Sequence, residues 1–180
     1  MTPRPWRTAS SRIVYRNPWI TLREDIAELP DGRTTLYGVV QCGECVGVLP
    51  FVDDEHVALV RQYRYVFGED QRWEMPTGGV HTGEALLDAA RRELREEIGY
   101  DAALLEPIYT FYTSKSILHE IAHLYIGREL TVARETPDVT EFLEVGIFPF
   151  AATLQMVLDG EIRDSMTIIA VLHAARQRGQ

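Results

Sequence analysis

Residues 78–100 read GGVHTGEALLDAARRELREEIGY. A glycine-rich turn feeds an amphipathic segment, in which Leu87, Ala90, Leu94 and Ile98 recur at helical spacing and predict a core-facing stripe. Gly99 follows the last turn, where a glycine commonly ends a helix. Glu93, Glu96 and Glu97 stand three and four apart, so their carboxylates project within about a third of the helix circumference. Like charges this close destabilise a helix unless something pairs with them. A hard divalent cation is the natural partner, because Mg²⁺ takes carboxylate oxygens and keeps waters for phosphate ligands. The plain alternative is a solvated, glutamate-rich helix face, the usual fate of a charge run.

The whole spacing, Gly78-x5-Glu84-x7-Arg92-Glu93-Leu94-x-Glu96-Glu97-x-Gly99, resembles the signature of the Nudix hydrolases. A pattern this long arises by chance in fewer than about one in a million chains of this size, which sets the charge-run reading aside. One position departs: a bulky aliphatic usually closes the signature, and here it is Tyr100, a change that touches packing rather than chemistry. The resemblance implies an α/β chain with the Nudix fold, a mixed β-sheet sandwiched between helices. It implies an enzyme that cleaves a nucleoside diphosphate linked to a further group, using Mg²⁺ or Mn²⁺. By position, Glu93, Glu97 and Glu96 become metal ligands, Glu96 also a member of the catalytic cluster, and Arg92 the residue that orients the glutamates.

Composition sets limits around that reading. A chain of 180 residues fits one domain, or one domain with an appendage, and 46% hydrophobic content with 25% charge is ordinary for a globular protein. The net charge of −9 argues against nucleic acid or an anionic membrane as partner. It also opposes a polyphosphate substrate, so bound cations and placed arginines are needed to offset it. No leader and no apolar run near 18 residues stands out, and the expected location is cytoplasmic. Cys42 and Cys45 form a C-x-x-C pair inside a strand-like run, where an offset of three puts them on opposite faces. Four thiol ligands are not available either, so no zinc or redox role is assigned to them.

Upstream of the glycine-rich stretch, residues 1–10 are rich in Pro and Arg and read as loosely ordered. Ile13 and Tyr15 then alternate, residues 19–26 continue in strand fashion, and Asp31-Gly32 marks a hairpin turn before a return strand over residues 33–41. The expected division is an N-terminal antiparallel β unit over residues 1–42 and a catalytic domain over residues 43–180. The Nudix subgroup most similar here, the ADP-ribose and nucleoside diphosphate sugar pyrophosphatases, carries such a unit and dimerises through it. A homodimer is therefore implied by resemblance. Residues 46–52 and 56–63 read as a second strand pair across Asp53-Asp54-Glu55. Arg61-Gln62-Tyr63-Arg64 resembles a subgroup motif whose second arginine reaches substrate phosphate, which makes Arg64 and Arg61 substrate-binding candidates. The alternative is two surface arginines at a strand end. Trp73-Glu74-Met75-Pro76-Thr77-Gly78 stands where the subgroup has Glu-x-Pro-Ala-Gly. By that likeness Glu74 contacts substrate and the Thr77 carbonyl ligates metal.

Further strands are expected at residues 102–113, 121–126 and 145–148, and helices at 151–158 and 165–175, the last capped by Asp164. His119-Glu120-Ile121-Ala122-His123 is a formal H-E-x-x-H, with Glu141 or Glu144 as a possible third ligand. That zinc site works only on a helix; in a strand the two histidines lie about 13 Å apart. The flanking residues lean toward strand, and a zinc protease is the least favoured reading. Glu120 matters instead as the expected general base, because residues 114–120 match the outer serine and the glutamate of a subgroup loop. They lack its Pro and Gly, which brings GDP-mannose and other diphosphate sugars close to ADP-ribose as substrate. A non-catalytic ligand sensor on the same fold ranks lower, because the signature is intact. The expected reaction is metal-assisted attack of water on a nucleoside diphosphate sugar, giving a nucleoside monophosphate and a sugar phosphate.

Overall fold

The computed structural model describes residues 5–133 and 142–179, and in it the chain divides into two compact units. The first comprises residues 1–44 and 111–121, the second residues 45–110 and 122–180.

In the first unit, β1 (Arg7–Arg16) pairs antiparallel with β2 (Thr21–Glu28), and β2 with the opening half of β3 (Thr34–Pro50). Asn17 turns β1 into β2, its side-chain oxygen accepting from the N–H groups of Trp19 and Ile20 at 2.9 and 2.8 Å. The Asp31-Gly32 turn forms as expected, with Gly32 at φ 85°, in the left-handed region that favours glycine. Leu29 N–H donates to the Arg33 carbonyl across it at 2.8 Å. Residues 7–10, expected to be loose, belong to β1: the ladder starts at Arg7 opposite Glu28, and the Arg7–Glu28 ion pair at 2.7 Å continues it to the side chains. Polar spacing hid this opening stretch, because β1 is exposed along its whole length and has no core face to pattern. The returning segment 111–121 joins this unit through Val40 N–H to the Ile117 carbonyl (2.8 Å) and Tyr37 hydroxyl to the Ser116 carbonyl (2.7 Å).

The second unit holds three helices among the described residues: α1 (Leu86–Glu97), α2 (Phe150–Leu158) and α3 (Ser165–Gln177). Here the closing half of β3 continues without a break from the first half, so the two strands expected at 33–41 and 46–52 are one strand of 17 residues. It lies in a sheet with β8 (Leu118–Val132) and β7 (Tyr100–Tyr112), while the short β6 (Thr77–Gly79) pairs with it, Val46 opposite Gly78. The pairing expected between residues 46–52 and 56–63 reduces to one bridge, Phe51 with Val57. Strand β4 (His56–Arg64) instead sits between β5 (Glu69–Glu74) and β9 (Glu144–Pro149) in a second sheet of three strands. Its run Val57–Val60 is buried throughout, as a central strand covered on both faces requires. Val46, Val48, Ala58 and Val60 pack with Ala90 and Leu94 of α1 into a nearly solvent-free core.

Candidate active site

Helix α1 begins after a turn at Gly83, whose φ of 83° needs glycine, and ends at Gly99 with φ 73°. Its buried face follows the expected stripe at Ala90, Leu94 and Ile98 and departs from it at the first position. Leu87 is 48% exposed, while Leu86 packs on the core beside Ala90 and Leu94. The buried arc runs through Ala89, Ala90, Glu93, Leu94 and Glu97, so two of the three glutamates stand on the face that periodicity assigned to apolar residues. Burying a carboxylate costs several kcal/mol unless it is compensated.

Arg92 supplies that compensation. Its Nη1 donates to Glu93 Oε1 at 2.6 Å and to Glu96 Oε2 at 3.0 Å. Its Nε and Nη2 grip both oxygens of Glu84 at 2.9 and 3.1 Å, and Nη2 also reaches the Gly79 carbonyl at 2.8 Å. One planar fork thus binds three carboxylates and a carbonyl, an arrangement a lysine cannot reproduce. The Arg92 hydrogen bond holds the Glu84 carboxyl down at about 2, and the same contacts raise the guanidinium further. The sequence pattern gives Glu84 no role of its own; its fixed place in the spacing is the available signal.

Gly78 explains why the preceding loop is glycine-rich. A Cβ there would lie 1.9 Å from Glu93 Oε1 and 2.1 Å from its Cδ, so only glycine lets β6 pass over this carboxylate. At neighbouring Gly79 a Cβ would meet nothing within 4 Å.

Thr77 lies one residue before Gly78 and lines a cavity of about 660 Å³ together with Arg64 and Glu74. Arg64 binds Glu74 Oε1 through Nε at 2.9 Å and Nη2 at 2.5 Å. Burial pushes the Glu74 carboxyl up, and Arg64 pulls against that shift. Three of the expected residues are therefore brought together on one cavity. Arg61 is not among them: it pairs with Glu144 of β9 at 2.6 Å and stacks on Trp73, 4.8 Å from the ring centroid. Arg72 and Arg163, which the sequence did not single out, also line the cavity. Behind it, the buried Thr167 hydroxyl accepts from Met75 N–H at 3.0 Å and donates to Asp164 at 2.6 Å. Asp164 also caps α3 as expected, accepting from Thr167 N–H at 2.7 Å.

Glu120 lies on β8 and belongs to the first unit. It is half-buried, its carbonyl accepts from Thr113 N–H, and its carboxylate adds to burial in pushing the Cys42 thiol up. His119 and His123 stand on the same extended strand, about 13 Å apart by strand rise. His123 Nδ1 lies 3.0 Å from the Thr110 hydroxyl, and Glu144 is engaged by Arg61. Glu141 falls outside the described residues. The strand conformation removes the zinc-protease arrangement.

Among the described residues, no three His, Cys, Asp or Glu side chains gather tightly enough to hold a metal ion, and Glu93 and Glu96 of α1 converge on Arg92 instead. The donor chemistry nonetheless fits a hard divalent cation. Glu93, Glu96 and Glu97 offer only oxygens, Glu93 and Glu97 are 6% and 4% exposed, and the missing Cβ of Gly78 leaves room for the Glu93 carboxylate.

Comparison with known proteins adds an independent line. Residues 43–166 match the NUDIX domain model, and residues 6–40 match the nucleoside diphosphate sugar hydrolase N-terminal domain. The chain is 32% identical to the ADP-ribose pyrophosphatase of Bacillus subtilis, over 92% of this chain and 90% of that one. It is 30% identical to the methanol dehydrogenase activator of Bacillus methanolicus, over 95% and 93% of the two chains. A crystal structure of an ADP compounds hydrolase superposes with a TM-score of 0.87 at 22% identity, covering 99% of this chain and 98% of that one. At that identity the likeness speaks for the fold.

Proposed function

The chain belongs to the Nudix family, and from that premise we propose that it hydrolyses the pyrophosphate bond of a nucleoside diphosphate sugar, ADP-ribose in particular. The products are a nucleoside monophosphate and a sugar phosphate. The observation that carries this reading is the Arg92 hub beside Gly78: a fixed set of carboxylates next to a cavity that also holds Arg64 and Glu74.

Glu93, Glu97 and Glu96, with the Thr77 carbonyl, would hold the divalent cation, Mg²⁺ or Mn²⁺. When bound, such a cation neutralises phosphate oxygens and acidifies water. Arg92 fixes the orientation of the glutamates through charge-assisted hydrogen bonds. Arg64, steadied by Glu74, presents its guanidinium to the cavity, where it can pair with phosphate oxygens. Glu120 is the proposed general base, taking the proton from water as its oxygen attacks phosphorus and the bridging P–O bond breaks.

GDP-mannose is the second reading, favoured by one observation: residues 114–120 lack the Pro-Gly of the ADP-ribose subgroup. The decisive experiment incubates the protein with ADP-ribose, GDP-mannose and other diphosphate sugars, with Mg²⁺ or with EDTA. AMP and ribose 5-phosphate are expected from ADP-ribose with Mg²⁺, and nothing with EDTA. Binding without cleavage of any member, as by a sensor, refutes the proposal; so does full turnover in EDTA.

A homodimer built through the N-terminal unit completes the proposal. In that unit Trp6, Ile13, Tyr15, Trp19 and Leu36 are each more than half exposed, an apolar surface of the kind that marks an association site. Cys42 and Cys45, as reduced thiols, fit a reducing, cytoplasmic setting, and no helix among the described residues is long and apolar enough to cross a membrane.

A further inference from the structure

The cavity beside Gly78 carries more positive charge than the sequence assigned to it. Besides Arg64, it is lined by Arg72 from β5 and Arg163 from the turn that precedes α3. Two carboxylates accompany them. Glu74 is held by Arg64 through two hydrogen bonds, and Asp164 caps α3. Among the described residues, three guanidiniums face two carboxylates on this wall, in a protein whose net charge is −9. Local concentration of the opposite sign is what an anionic substrate needs in order to approach such a protein.

Both arginines are placed by fixed backbone. Arg72 stands two residues before Glu74 on β5, so strand alternation puts the two on the same face. Arg163 directly precedes Asp164, whose carboxylate binds the Thr167 hydroxyl, and that hydroxyl accepts the N–H of Met75. The relay pins the turn carrying Arg163 to the segment carrying Glu74 and Thr77. Val66 and Phe67 give the cavity an apolar lip, and at 84% and 72% exposed they leave its mouth open.

We propose that Arg72 and Arg163 are diphosphate-binding residues, which grip phosphate oxygens of the substrate alongside Arg64. The assignment deepens the function proposed above and rests on it. A guanidinium offers two parallel donors to a phosphate, and losing one such contact weakens binding about tenfold or more.

Arg72→Gln and Arg163→Gln should each raise KM for the hydrolysed sugar nucleotide about tenfold while kcat stays within threefold, and the double variant should compound the loss. Arg163→Lys should recover only part, because the charge returns without the fork. Arg176→Gln, in the last turn of α3, serves as the control with unchanged KM. Calorimetric titration with inorganic pyrophosphate gives a second reading that needs no turnover. Wild type is expected to bind it and the double variant to bind at least tenfold more weakly. Equal binding by wild type and the double variant overturns the proposal, and so does failure of wild type to bind pyrophosphate. A protein that binds pyrophosphate through these arginines but splits no diphosphate sugar would instead sink the hydrolase reading.

Discussion

Replacing Gly78 by Ala is the sharpest probe of the site, because the structure fixes what the added methyl meets. Its Cβ would fall 1.9 Å from Glu93 Oε1, and a tolerable contact needs roughly 3.4 Å, so the carboxylate has to move about 1.5 Å. Glu93 can rotate in principle, but the side chain is 6% exposed and its Oε1 is held by Arg92 at 2.6 Å. Moving it breaks a charge-assisted hydrogen bond worth about 1.5–3 kcal/mol. At roughly 2 kcal/mol the thermal midpoint should fall by about 4–8 °C for a chain of this size. Catalysis should suffer more, since a misplacement of about 1 Å in a catalytic group can cost on the order of 10²-fold. The expected variant is folded, with kcat down about 10²-fold and KM little changed. Gly79→Ala is the matched control: the next residue, the same chemistry, and open space for the methyl. Steady-state kinetics and thermal unfolding on both proteins complete the assay. If Gly78→Ala keeps kcat within threefold, the Glu93 carboxylate does not need its observed position. If Gly79→Ala is equally damaged, the steric argument itself is wrong.

Glu120→Gln should lower kcat about 10²-fold with a smaller change in KM if this carboxylate is the general base, whereas His123→Ala should cost little. Near-wild-type kcat for Glu120→Gln would return the base to the glutamates of α1. The Glu84 carboxyl, held at about 2 against an ordinary 4.5, stabilises the folded state fully above pH 4.5 and loses that contribution as pH falls toward 2. Thermal midpoints measured across that interval should drop less steeply for Glu84→Gln than for wild type, and parallel profiles would contradict the role given to Arg92. Sedimentation at micromolar concentration should return a dimer, and a Trp19→Glu, Leu36→Glu double variant should shift it toward monomer; a monomeric wild type counts against assembly through the N-terminal unit.

The fold was legible wherever one face of an element meets a core. The Asp31-Gly32 turn, α3 and its Asp164 cap lie where the pattern put them. Signals failed for two physical reasons. Residues 7–10 of β1 have no buried face and no apolar alternation to separate them from coil, and the break expected within residues 33–52 followed polar residues that a continuous strand tolerates. Leu87 was misassigned because periodicity counts apolar residues. Here Glu93 and Glu97 take buried positions, and Arg92 compensates at least the first. Within the candidate site, the spacing of residues 78–99 is dense enough to carry the family resemblance by itself. Arg163 was not: it reaches the cavity through tertiary placement, more than 60 residues after the helix that carries the glutamates. The opposite outcome holds for Arg61, whose neighbours Glu144 and Trp73 come from two other strands and draw it away from the cavity.

The Thr167 hydroxyl ties the start of α3 to the strand segment between Glu74 and Thr77 with one accepted and one donated proton. Thr167 and Met75 are both fully buried, so no water is at hand to replace the bond between them. The side chains that keep both bonds form a very small set: threonine, or serine at the loss of a methyl. Valine matches the shape but can neither accept from Met75 nor satisfy Asp164. Evolution of this protein toward new substrates is therefore freer at the cavity mouth than behind it. Val66 and Phe67 can change with little penalty to folding, while residue 167 acts as a hidden hinge pin on which every variant of the cavity depends.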